Sequence, residues 1–192
     1  MSTELHIQTL DIPQFAFGAQ QQKLAPLVHN GVINPRGLTC GLVRMEGAHH
    51  AVAHIHRRSP ILVYVHEGMI ASLVGEELKP LLHAPGSVIW IDARVPHLGL
   101  NLDAVTPAAL LEARTDPFFN RDVKRRPELD ALVADRVADL QRRYAAGELN
   151  DQLTKPSVHI VSCGRRDRLG RFLAAGRRGT LRRVDLPTQV AA

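Results

Sequence analysis

His54-Ile55-His56, then Pro85-Gly86-Ser87-Val88-Ile89-Trp90-Ile91, then Pro96-His97-Leu98-Gly99-Leu100-Asn101: on these stretches the reading of the chain turns. On a β-strand, residues two apart point to the same face. His54 and His56 therefore present two imidazoles to one side, and His97, from a distant strand, supplies a third nitrogen donor. Three such donors hold a divalent ion while leaving coordination positions open for chemistry. The chain has ten histidines, so a lone H-x-H would arise in about half of random orders and has no weight by itself. Its framing supplies the weight: Gly47 lies upstream, and Tyr64-Val65-His66-Glu67-Gly68 follows.

In that framing the sequence resembles the cupin superfamily, whose first motif reads G-x5-H-x-H-x3,4-E-x6-G and whose second reads G-x5-P-x-G-x2-H-x3-N. His54 and His56 match the two histidines of the first motif and Gly68 its closing glycine. Gly86, His97 and Asn101 match the second motif. The resemblance covers about residues 40 to 117. The segment Glu112-Ala113-Arg114-Thr115-Asp116-Pro117 is similar to the strand end of single-domain cupins of the sugar-isomerase-like group. It implies an all-β fold, a cupin-type β-barrel of the jelly-roll kind, with a metal held by His54, His56 and His97. It also implies a homodimer paired through its sheets.

The chain departs from the pattern in three places. Ile61 stands where the family has its glutamate ligand, which leaves three histidines and no carboxylate. One extra residue separates Gly47 from His54, and Asp92 and Arg94 replace the proline and glycine before His97. Neutral ligands leave an ion its full charge, so the predicted substrate is a small anionic chelator such as an enolate, catecholate, carboxylate or thiolate. Fe(II) is the favoured metal, because the resemblance implies the arrangement of three-histidine cupin dioxygenases. Zn, Ni or Mn in the same site would support a non-oxidative isomerase, lyase or hydrolase. A non-catalytic cupin that binds a small molecule is the reading of another class.

Among the remaining candidates, Ile61 forms an apolar wall of the substrate pocket, and Asn101 either contacts substrate or orients a loop. Glu112 shares one strand face with Arg114. Turned inward it is an acid or base near the metal; turned outward, the favoured arrangement, the two are surface charges. His49, His66 and His83 are assigned structural roles, with His50 as a reserve ligand. Gly68 and Gly86 are read as turn residues.

Composition fits a globular protein, with 45% hydrophobic and 22% charged residues in 192 positions. No basic start followed by an apolar run opens the chain, and no long apolar stretch occurs, so the expected location is the cytoplasm, with no membrane partner. Cys40 and Cys163 make no disulfide framework. Net charge is +5, concentrated in the tail: residues 151–192 carry nine basic against three acidic side chains. No stacking aromatics accompany those arginines, so a nucleic-acid partner is not inferred.

Short apolar runs punctuated by Gly, Pro and Asn predict strands at residues 5–10, 38–45, 51–55, 61–65, 69–74, 88–91 and 108–113. From Pro127 to Gly147 the period changes. Leu129, Leu132, Val133, Val137, Leu140 and Tyr144 make an apolar stripe, which predicts an amphipathic helix started by Pro127 and ended by Gly147. The predicted plan is a barrel over residues 1–120, a helix within 121–150 packed on the barrel or a partner, and a basic extension over 151–192 with a strand near 158–163.

Overall fold

Alternation of inward and outward side chains builds the molecule from two facing sheets. The computed structural model describes residues 7–162. Its strands are β1 (Ala16–Phe17), β2 (Lys23–Val28), β3 (Thr39–Met45), β4 (His54–His56), β5 (Ile61–Glu67) and β6 (Ile70–Val74). They continue as β7 (Lys79–His83), β8 (Val88–Ile91), β9 (His97–Asn101), β10 (Ala108–Arg114), β11 (Val123–Arg125) and β12 (Val158–Val161). One sheet runs β1-β2-β3-β10-β5-β8-β12 and the other β11-β4-β9-β6-β7. Neighbours pair antiparallel except β12, which lies parallel to β8. The two sheets close as a jelly-roll β-barrel, a solution that leaves few free edges.

The barrel interior is filled from both sheets. Ile61, Val63 and Val65 of β5, Ile89 and Ile91 of β8, Leu110 of β10, and Ile70 and Val74 of β6 make one buried cluster. A second cluster lies outside the barrel, between the five-stranded sheet and α1 (Asp130–Ala145). Ala71 and Leu73 of β6 and Leu98 and Leu100 of β9 face Val133, Val137 and Leu140 of the helix there. Strand β6 is thus buried on both faces, which is why its sequence is apolar but for Ser72.

The helix starts with a 3-10 turn at Pro127–Leu129 and closes at Gly147, whose φ of 76° suits the left-handed residue after a helix. There the Gly147 N–H donates to the Tyr144 carbonyl at 2.9 Å and the Glu148 N–H to the Arg143 carbonyl at 3.0 Å, the paired bonds of a Schellman ending. No described helix is long and apolar enough to cross a membrane.

Several predicted strands shift. Residues 7–10 form no strand, and residues 5 and 6 lie outside the described residues. The run predicted at 51–55 becomes β4 at His54–His56, because Ala51 and Ala53 serve the cluster beneath the helix instead. Strand β12 ends at Val161, and β11 and β12 add two strands beyond residue 120. The basic stretch from residue 163 lies outside the described residues.

Leu100 is fully buried between sheet and helix. Leu100→Ala should therefore cost about 2–5 kcal/mol in urea unfolding, since a cavity opens where neither layer can close it.

Candidate metal centre

Strand β4 turns His54 and His56 inward and Ile55 outward, while β9 turns His97 inward directly opposite His54 in the antiparallel register. The three rings gather with centroids 4.4 Å apart for His54 and His97, 5.3 Å for His54 and His56, and 5.5 Å for His56 and His97. One nitrogen from each lies within 4.8 Å of the others. All three are buried.

Each ring is held by its Nδ1. His54 Nδ1 meets the Val52 carbonyl at 2.9 Å, His97 Nδ1 the Val95 carbonyl at 2.8 Å, and His56 Nδ1 the Asp122 carboxylate at 2.9 Å. A carbonyl only accepts, so Nδ1 of His54 and His97 carries the proton and Nε2 keeps its lone pair. Nε2 of His56 and Nε2 of His97 are buried with no hydrogen-bond partner. Orphaned lone pairs cost about 1–3 kcal/mol each, a cost that a metal ion removes. Burial, reinforced by the neighbouring His97 and His56, pushes His54 well below the ordinary imidazole range. Burial followed by His56 takes His97 down to about 3. The residues thus fit a divalent ion: neutral imidazoles, fixed tautomers and unpartnered nitrogens.

Asp122 is the residue that sequence reasoning missed. It lies in the loop between β10 and β11, 66 positions from His56, and no motif spacing announces it. Its other oxygen accepts from the Ser59 hydroxyl at 2.6 Å, the Ser59 N–H at 2.9 Å and the Arg58 N–H at 3.1 Å. Burial works to raise this carboxyl, but the bonds from His56, Ser59 and Arg58 prevail and hold it well below the usual carboxylate range. A carboxylate behind a ligating imidazole orients the ring and raises its donor strength.

Ile61, in the family's glutamate place, is buried and lines a cavity of about 30 Å³ together with His54, His97, Gln22, Ser72 and Glu112. Two expectations are corrected here. Glu112 and Arg114 point inward, both buried and ion-paired, because their strand register puts them on the same face as Leu110. Glu112 lies on the cavity but outside the cluster of three histidines. Asn101 does not line the cavity. Its Nδ2 donates to the carbonyls of Thr106 at 2.8 Å and Glu46 at 3.0 Å, and its Oδ1 accepts from the Asp103 N–H at 3.1 Å, so it ties loops together.

The reserve ligand, His50, stands apart with Nδ1 at 2.9 Å from its neighbour's carbonyl. His83 is buried against the Ser72 hydroxyl, and His66 is exposed on the outer face of β5. Arg94, which replaces the motif's glycine, keeps a φ of 68°, so the turn before His97 retains the left-handed residue that a glycine would give it. Asp92 accepts from the Trp90 indole at 2.8 Å in the same turn.

No protein-family model matches the chain, and no curated protein matches it in sequence. Among solved structures, the oxalate decarboxylase of Lactobacillus farciminis, a formate complex, matches with a TM-score of 0.50 at 17% identity, over 63% of this chain and 35% of that one. The fold is that of the cupin superfamily. A cupin 2 conserved barrel domain protein from Salinispora arenicola matches this barrel with a TM-score of 0.48 at 11% identity, over 59% of this chain and 91% of that one. The cupin domain of Schizosaccharomyces pombe Cnp3 gives 0.44 at 13% identity, over 56% and 69%.

Two outcomes follow from this geometry. Asp122→Asn should weaken metal affinity by about 10–100-fold in competition with a chromogenic chelator, because the brace on His56 loses its charge. Stability of the metal-free protein should also fall with acid. Burial followed by His56 takes native His97 down to about 3, and burial with His159 takes native His83 down to about 3, against 6.5 for an ordinary imidazole. Above 6.5 neither state binds the proton and the full stability is present. Below it the unfolded chain takes up protons that the native site refuses, so stability drops as pH falls from about 6.5 toward about 3. A urea midpoint that stays flat between about pH 7 and about pH 4 would contradict buried neutral histidines.

Proposed function

We propose that this cupin is a mononuclear metalloenzyme, an Fe(II)-dependent dioxygenase acting on a small anionic chelating substrate. The observation that carries the reading is the set of three buried imidazoles with an isoleucine, and no carboxylate, beside them. Nε2 of His54, His56 and His97 would hold the ion. Bound there, Fe(II) supplies a positive centre for a diketone, catecholate, hydroxybenzoate or thiolate and the means to use O₂.

The protein's own groups do the rest. Val52, Val95 and Asp122 fix the three rings through Nδ1, so the nitrogens converge without rearrangement. Ile61 gives the cavity beside His54 and His97 an apolar wall in place of a carboxylate ligand, which would strengthen attraction between the centre and an anion. A cavity of about 30 Å³ admits little more than a water-sized group, so only the coordinating end of a substrate enters it unless the walls move. Glu112, the carboxylate on that cavity, would take a proton from substrate and return it, with Arg114 bonded to it. The same placement favours a second reading, a non-oxidative metal-dependent isomerase or lyase in which Glu112 moves the proton.

Elemental analysis of protein purified without added metal, followed by O₂-uptake assays with diketones, catechols, hydroxybenzoates and thiols after anaerobic Fe(II) loading, separates the two. Iron retention with uptake that requires a chelating substrate is expected. Zinc retention with no uptake would remove the dioxygenase, and a His97→Ala variant that binds metal as well as the parent would remove the centre itself.

A further inference from the structure

A second pocket, of about 390 Å³, lies between the loop after β4 and the loop after β10. It shares no lining residue with the histidine cavity. Its walls include Arg57, Arg58 and Arg121, together with Ser59, Asp116 and Asp122. Among the described residues, no carboxylate pairs with any of these three guanidinium groups.

The two acidic residues in the wall are already occupied. Asp116 accepts the N–H groups of Phe118 at 3.1 Å, Arg121 at 2.5 Å and Asp122 at 3.1 Å. Asp122 is taken by His56, Ser59 and the Arg58 N–H. Three guanidinium groups against two carboxylates leave the wall positive, with forked N–H donors that have no anionic partner.

Two of the three arginines are also positioned. Arg121 lies over the Phe118 ring, 3.6 Å from its centroid. Arg57 is bound to the Asp122 carbonyl by its backbone N–H at 3.0 Å and its Nε at 3.4 Å, while its own carbonyl accepts from Arg94 Nε at 3.3 Å. A pocket of this size falls in the range of small-molecule sites, about 300–1,000 Å³. We propose that it binds a small dianionic oxyanion of the phosphate type. Donors arriving from three separate side chains suit a tetrahedral group better than one flat carboxylate. Asp122 belongs both to this wall and to the bracing of His56, so the anion site adjoins the metal centre, yet its chemistry needs no metal.

The test uses the full-length, metal-free chain and calorimetric titration with inorganic phosphate, with glycerol 3-phosphate, and with succinate and glycerol as comparators. The expected result is phosphate binding in the millimolar range or tighter, weakened about tenfold or more in Arg58→Gln and in Arg121→Gln. Arg136→Gln on the exposed face of the helix removes the same charge elsewhere and should leave binding unchanged. Tighter binding of glycerol 3-phosphate than of phosphate assigns the site to a phosphate ester, and the reverse assigns it to the free ion. In the unaltered protein, phosphate should shift the arginine Nε resonances of Arg57, Arg58 and Arg121, a readout independent of any variant's folding. No binding at about 10 mM phosphate, equal losses in all three variants, or a preference for succinate would overturn the proposal. His97→Ala should bind phosphate normally, so failure of the metal reading would leave this result intact.

Discussion

The pairing of β4 with β9, His54 opposite His97, is the constraint on which the site depends. Side chains alternate along a strand, so a slip of one residue in β9 would turn His97 out of the barrel and bring Leu98 in. That slip is opposed from the other side. Strand β9 is in register with β6 over five pairs, from Ile70 opposite Asn101 to Val74 opposite His97. The outward residues Leu98 and Leu100 lie beneath α1, where burial of each is worth roughly 1.5–3 kcal/mol. Packing of the helix against the outside of the sheet is therefore part of what aims a histidine inside it.

Charge at the centre is arranged by displacement. The cupin pattern puts a carboxylate in contact with the ion, and here that place is taken by Ile61. A carboxylate is still present, one hydrogen bond further out, as Asp122 behind His56. The difference has chemical weight. A carboxylate ligand would neutralise part of a bound ion's charge, whereas Asp122 behind His56 would strengthen a donor and leave that charge in place. Burial in this apolar surrounding holds His54 and His97 below the ordinary imidazole range.

How far this was legible in the sequence depends on the range of the signal. The strands carrying the histidines are local patterns, and the helix stripe from Leu129 to Leu140 is a local period. The helix follows from that period, whereas the barrel and the three-histidine set rest on the resemblance of the ordered motifs, and β9, which carries His97, is not among the predicted strands. Ala51 and Ala53 were read into a strand because small apolar residues do not say which layer they will pack in; the helix decided it. Glu112 and Arg114 were expected to face solvent on the ground that charges rarely enter a core, and the register of β10 with β3 and β5 overrode that rule. Asp122 was invisible for a plainer reason: its partner is 66 residues away, and a loop acid has no period to betray it.

The buried pair explains how so remote an acid is held in place. Arg114 does more than neutralise Glu112: its Nη1 donates to the Phe119 carbonyl at 2.7 Å and to Asn120 Oδ1 at 2.6 Å, and its guanidinium lies 4.4 Å from the centroid of the buried Phe119 ring. Asp116 gathers the N–H groups of Phe118, Arg121 and Asp122, while Thr39 Oγ1 donates to the carbonyls of Arg114 and Asp116. The loop from 115 to 122 is thus pinned from inside the barrel by a cation whose own burial is made tolerable by Glu112. A buried ion pair is weak evidence for stability, because desolvation of both partners offsets their attraction. Its value here is positional. Removing Glu112 would leave Arg114 uncompensated in the core, and the loop that carries Asp122 to His56 would lose its anchor before the three histidines themselves were touched.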